Sequence, residues 1–173
     1  DTEKFQDVLY TEMRSRIKEQ DESVPYLKNG YYYYTRQVEG KDYYLFCRKK
    51  GSMDAKEEVL LDVNTMAEGH TYYSVSGISV SPDNKWIAYG VDKVSRRQYQ
   101  IFIKNIDTEM ILEDVITNTE GDPTWANDNQ TIFYTAKHPV TLLSERIMRH
   151  KLGTNEQEDV EVYKETDPAN YIG

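Results

Sequence analysis

All-β with one amino-terminal helix is the fold class this 173-residue chain predicts, and three observations carry the prediction. The first is a repeat. Ser81-Pro82-Asp83-Asn84-Lys85-Trp86-Ile87-Ala88-Tyr89 returns 45 residues later as Ala126-Asn127-Asp128-Asn129-Gln130-Thr131-Ile132-Phe133-Tyr134, and Asn29-Gly30-Tyr31-Tyr32-Tyr33-Tyr34 is a fainter copy. The second is that the next strand repeats too: Tyr43-Tyr44-Leu45-Phe46-Cys47-Arg48 matches Tyr99-Gln100-Ile101-Phe102-Ile103-Lys104 at an offset of 56, and Lys104-Asn105-Ile106-Asp107-Thr108 matches His150-Lys151-Leu152-Gly153-Thr154 at an offset of 46. The third is the punctuation. Asn29-Gly30, Glu39-Gly40, Pro82-Asp83-Asn84 and Asn127-Asp128-Asn129 suit tight turns, because Gly and Asn accept positive φ. Strand-turn-strand units recurring every ~40–50 residues mark the blades of a β-propeller. A single blade cannot bury both faces, so blades pack side by side. The chain holds about three four-stranded antiparallel blades, too few to close the usual ring, and is expected to be a fragment of something larger.

Residues 4–20 predict a helix, since Phe5, Val8, Leu9, Met13 and Ile17 recur at spacings of three and four and form one apolar stripe. Thr2 is placed to cap it, and the run Asp21-Glu22-Ser23 before Pro25 to end it. Residues 1–25 are thus a helical leader, and residues 26–173 the partial propeller. Its first unit, near 29–65, predicts strands at 30–37, 42–49 and 57–62. The second, near 72–116, predicts 75–81, 85–92, 98–106 and 110–115. The third, near 120–165, predicts 122–126, 130–136, 145–152 and 160–164, and a further blade begins before residue 173. The slot shared by Tyr32, Ile87 and Ile132 is expected to face a sheet–sheet core, as are the slot of Tyr34, Tyr89 and Tyr134 and the slot of Phe46 and Phe102.

Composition narrows the partners. A net charge of −9 argues against nucleic acid, which needs a basic surface. No run approaches the roughly 20 apolar residues of a membrane span. An aromatic fraction of 12%, most of it the 15 tyrosines, argues against disorder. The lone Cys47 allows no intrachain disulfide, which fits a reducing, cytoplasmic compartment, with a periplasmic one left open.

Catalytic chemistry is sparse. No Gly-x-Ser-x-Gly elbow is present, and Ser74-Val75-Ser76-Gly77 reads as loop. His70, His138 and His150 show no metal-ligand spacing and read as loop or strand-edge residues. Cys47 reads as an inert buried position in a repeat slot, and Glu57-Glu58 with Asp62 as solvated charge rather than a calcium loop. Asn129-Gln130-Thr131 matches a glycosylation sequon but falls on a turn. No catalytic residue, metal or cofactor is implied. One cluster stands out: in Ser95-Arg96-Arg97-Gln98-Tyr99 two adjacent arginines enter a strand, so their side chains point to opposite faces. Either they are a surface charge pair, or one of them, Arg97 in particular, meets an acidic group across a domain or blade boundary.

Several stretches together resemble oligopeptidase B, also called protease II, of the prolyl oligopeptidase family of serine peptidases. They are Asp21-Glu22-Ser23-Val24-Pro25-Tyr26, Asn29 to Tyr34, Tyr44 to Lys49, Glu58-Val59-Leu60-Leu61-Asp62-Val63-Asn64, Ser95 to Tyr99, Trp125-Ala126-Asn127-Asp128 and Lys137-His138-Pro139-Val140-Thr141-Leu142-Leu143. The resemblance implies a seven-bladed propeller over an α/β-hydrolase domain. It also implies cleavage of short peptides after Lys or Arg by a Ser, Asp and His of that other domain, with the propeller gating access. On this reading the chain is a non-catalytic gating and docking fragment, inactive alone. Its partners are the missing hydrolase domain and blades, and a second copy through its uncovered blade face. The alternative is a self-sufficient propeller-like binding scaffold with no peptidase domain.

Overall fold

A computed structural model describes residues 2–18, 20–167 and 169–172. The chain divides into two compact units, Asp1–Met66 and Ala67–Gly173.

The first unit opens with helix α1, Glu3–Ser15. It is shorter than the 4–20 expected, position 19 of which lies outside the described residues. Its last bonds tighten to a three-residue spacing, Arg16 N–H to Met13 O and Ile17 N–H to Arg14 O, which closes a helix early. Thr2 sits in helical backbone geometry and its side chain makes no cap bond, against expectation. The apolar stripe formed, but Phe5, Val8, Met13 and Ile17 are all exposed.

A four-stranded antiparallel sheet follows, in the order β1 (Tyr26–Lys28), β2 (Tyr31–Gln37), β3 (Tyr44–Lys50), β4 (Glu57–Asp62). The sequence predicted only three of these strands. The short first strand is revealed by its pairing, Tyr26 with Tyr33 and Lys28 with Tyr31. Asn29 and Gly30 both have positive φ, the two-residue turn that matches the twist of a hairpin. Pairing extends upstream, where Ser23 N–H bonds Thr35 O and Gln37 N–H bonds Asp21 O. A short helix α2, Val63–Met66, closes the unit, with Asp62 accepting from the Asn64 and Thr65 N–H groups.

The second unit is a single sheet of eight strands. They are β5 (Ser74–Val80), β6 (Trp86–Asp92), β7 (Tyr99–Asn105), β8 (Ile116–Thr119), β9 (Thr124–Trp125), β10 (Thr131–Lys137), β11 (Ser144–Lys151) and β12 (Val160–Lys164). Two expected blades are present, but they are joined. The strand expected at 110–115 is reduced to a bridge between Ile111 and Lys104, and β8 instead pairs with both β7 and β10. Thr119 makes this junction: its hydroxyl donates to Tyr99 O and accepts from Gly121 N–H. The stretch Ser74-Val75-Ser76-Gly77, expected as loop, lies inside β5, where the register slips between Ser76 and Ser79. Gly77 has φ +58, and a Cβ there would lie 1.8 Å from Gly121 O, so only glycine lets β5 touch the bend between β8 and β9 backbone to backbone.

The repeated turns share one backbone conformation. Asn29, Asn84 and Asn129 all adopt left-handed backbone, and the Asn129 side-chain oxygen, in the sequon, accepts the Asp83 N–H of the equivalent turn. Ile87, Ile132, Tyr34, Tyr89 and Tyr134 are buried as expected, while Tyr32 is only half-buried. The Phe46/Phe102 slot is corrected. Both rings are half-buried, and the neighbours Leu45, Cys47, Ile101 and Ile103 are the buried ones. Register explains it: Phe102 lies opposite Tyr89 and stacks on it, whereas Ile103 lies opposite Ala88 and turns toward Ile116, Trp125, Ile132 and Tyr134. Each such isoleucine removed from water stabilises the unit by about 1.5–3 kcal/mol.

Candidate interdomain surface

The loop between β6 and β7 carries both arginines that the sequence singles out. They do not enter a strand. β7 begins at Tyr99, and residues 93–98 form an irregular loop with Ser95 and Arg97 in left-handed backbone, at φ 60 and 53. The expected alternation of the two side chains therefore does not apply, and both are exposed. Among the described residues neither guanidinium has a hydrogen-bonding or ion-pair partner.

Asp92 explains why residues other than glycine hold these conformations. It ends β6 and is fully buried. One carboxylate oxygen accepts from Val94 N–H at 2.8 Å, and the other from Arg96 N–H at 3.0 Å and Arg97 N–H at 2.8 Å. A buried carboxylate is tolerable only when its lone pairs are filled in this way, and three converging N–H groups make the loop a nest around it. The strain of two left-handed residues, of order 1–3 kcal/mol each, is offset by these charge-assisted bonds. Lys93 adds an anchor, its ammonium lying 5.7 Å from the Phe102 ring centre.

The carbonyl side of Arg97 is held from the next blade. Lys137 Nζ donates to Arg97 O at 2.7 Å and pairs with Glu120 Oε2 at 2.9 Å, while Ser144 Oγ donates to the other Glu120 oxygen. Lys137 is 5% exposed. It ends β10, where the ladder with β11 slips by one residue between Ala136 and Lys137. Such a slip re-aims a side chain, and here it lets two successive residues both be buried. Asp92 and Lys137 stand 45 residues apart, in the same slot of consecutive repeats. Sequence reasoning passed over both. The legible signal is a charged residue, of opposite sign in the two, closing each of two otherwise uncharged strands.

The other candidates fall elsewhere. His70 is exposed. His138 Nδ1 accepts from Val140 and Thr141 N–H within its own loop. His150 corrects the expectation of a strand-edge residue. It is fully buried, with Nδ1 2.6 Å from Asp159 and Nε2 3.4 Å from Asp114. Tyr134 also donates to Asp159, and burial together with that bond raises its phenol far above the ordinary range. Cys47 is 1% exposed, and burial followed by the nearby Glu57 charge pushes its thiol up to about 12. Glu57 and Glu58 are ion-paired, with Arg36 and with Arg48, rather than simply solvated. No group of three His, Cys, Asp or Glu side chains among the described residues is arranged to hold a metal ion, and no helix among them is long and apolar enough to cross a membrane.

Comparison with known proteins completes the picture. The whole chain, residues 1–173, matches the family described as prolyl oligopeptidase, N-terminal beta-propeller domain. Dipeptidyl aminopeptidase BI of Pseudoxanthomonas mexicana is 43% identical over 184 residues, covering 98% of this chain and 25% of that protein. Protease 2 of Moraxella lacunata is 30% identical over 170 residues, covering 92% of this chain and 24% of its own length. The structure of oligopeptidase B from Leishmania major superposes with a TM-score of 0.89 at 35% identity, over 95% of this chain and 24% of that one. The chain thus spans about a quarter of the length of the curated relatives it matches. With the repeat slots, the sheets and the full-length match in agreement, the chain belongs to the prolyl oligopeptidase family, in the part that forms its N-terminal β-propeller.

Proposed function

We propose that this chain is the amino-terminal propeller portion of a serine oligopeptidase that cleaves short peptides after Lys or Arg, working in the cytoplasm. Its role is gating and docking, and the chemistry belongs to an α/β-hydrolase domain elsewhere in the parent. The observation that carries the docking role is the braced loop at 93–98, which offers two exposed guanidinium groups, unpaired among the described residues, from a chain of net charge −9. A rigid cationic loop on an acidic body suits one acidic counterpart, because its side chains lose little backbone freedom on docking. Arg97 meets that acidic group on the hydrolase domain when the enzyme closes.

The test is kinetic, in the full-length enzyme. Arg97→Ala should lower kcat/KM on arginyl and lysyl peptides by about tenfold, the scale of a lost charge-assisted contact, while the thermal midpoint stays unchanged. Unchanged kinetics in both Arg96→Ala and Arg97→Ala would leave the pair as surface charge. The 43% identity to a dipeptidyl aminopeptidase favours a second reading of the substrate, release of dipeptides from a free amino terminus. Turnover of a free dipeptidyl amide but not its amino-blocked counterpart selects that reading. The chain is also proposed to self-associate through a face of its last blade, where β12 presents Val160, Val162 and Tyr163 to solvent. Light scattering that stays at the monomer mass across a concentration series would rule this out.

A further inference from the structure

We infer that Lys137 is a positioning residue for the arginine loop of the preceding blade, acting through the backbone carbonyl of Arg97. Both polar groups of the Arg97 backbone end on buried charge: the N–H on Asp92 and the carbonyl on Lys137. The two charges come from the same slot of consecutive blades, so the loop is gripped from both sides of a blade boundary. The grip is polar on every side. Glu120 balances the ammonium at 2.9 Å, Ser144 fixes Glu120, and the strand slip at Ala136 and Lys137 aims the lysine inward instead of leaving it on the outer face. An ammonium this buried has few alternative partners, so losing the Arg97 carbonyl and losing the loop conformation are one event. Lys137 therefore sets where Arg97 points without itself reaching the surface, and it ties the loop's position to the packing of two blades.

Two measurements test this. The first uses the full-length enzyme and trypsin, which cuts after Lys93, Arg96 and Arg97 when the loop opens. Lys137→Met should raise cleavage in 93–98 by at least about tenfold, with cleavage after Lys85 unchanged, because proteolysis follows the population of the open form. Glu120→Gln, which keeps the buried amine but weakens its support, should raise loop cleavage by a smaller factor, and Lys137→Arg should restore protection in part. Equal loop cleavage in wild type and folded Lys137→Met overturns the inference. So does a general rise at every site, which would make Lys137 a sheet residue rather than a loop residue. The second measurement rests on the proposed role of Arg97 and uses the full-length enzyme. Lys137→Met should lower kcat/KM as Arg97→Ala does, yet add nothing further in the Arg97→Ala background. If Arg97→Ala is silent, the docking role fails while the trypsin result stands. If Arg97→Ala is slow and Lys137→Met adds to it independently, the positioning role fails while the docking role stands.

Discussion

The second-blade loop at 93–98 and the third-blade loop at 138–143 connect equivalent strands but are built on opposite principles. The later loop is organised by itself. His138 accepts from two N–H groups ahead of it, its own N–H donates to Leu143 O, and Leu142 takes the left-handed residue that closes the turn. The earlier loop has no such internal cap and is held from beneath by Asp92 and from the neighbouring blade by Lys137. A self-capped loop can open without disturbing anything else. A loop tied to two buried charges moves only when its strands or its neighbouring blade move, the property wanted of a docking element whose position must report on the propeller beneath it. The exposed residues follow the same division. The self-capped loop shows Val140 and Leu143 to solvent, and the tied loop shows two arginines beside Val94.

Substitutions separate the two designs. The largest effect is expected where both loops share a foundation. Ile132, fully buried between the two blades, should cost about 2–5 kcal/mol when truncated to Ala, and urea unfolding should show both loops lost in one transition. Two separate transitions would mean that the blades of the second unit are not one cooperative body. Next, Asp92→Ala removes a buried acceptor from three N–H groups and should cost about 2–3 kcal/mol, with hydrogen exchange accelerating at Val94, Arg96 and Arg97 and not in 138–143. Asp92→Asn, retaining an acceptor, should fall between it and wild type. The smallest effect belongs to His138→Ala, about 0.5–1 kcal/mol, because its bonds are partly solvated and local. Exchange should quicken at Val140 and Thr141 alone. If His138→Ala destabilised the unit as much as Asp92→Ala, the contrast between a self-capped and a braced loop would be wrong.

Much of the fold was legible before any coordinates. Spacing aligns Asn29, Asn84 and Asn129 as turn residues, and all three occupy the left-handed conformation that Asn tolerates and most residues avoid. Ile87 and Ile132 share one slot of the repeat, which places both in a core, and both are fully buried. The misses have physical causes. The Phe46/Phe102 slot differs because β3 and β7 each carry three successive apolar residues there, Leu45-Phe46-Cys47 and Ile101-Phe102-Ile103, so the pattern does not say which of them faces the core. Strand β1 was missed because three residues are too few to show a period. The far end of α1 stops short of residue 20 because nothing packs on its exposed stripe to stabilise a further turn, and the helix closes with three-residue bonds.

The candidate surface divides the same way. The sequence alone determined that an arginine pair stands just ahead of the third strand of a blade, in an acidic chain of repeated units, because spacing and charge are properties of the chain itself. It could not determine that the pair stands on a loop rather than in a strand, that Asp92 closes around three N–H groups, or that Lys137, 40 residues further on, holds the carbonyl of Arg97. Those depend on a one-residue slip in a ladder and on two blades meeting through glycines, contacts between segments far apart in the chain. Local preference ends within a few residues, while a buried charge selects its partner from whatever the tertiary fold brings within about 3 Å.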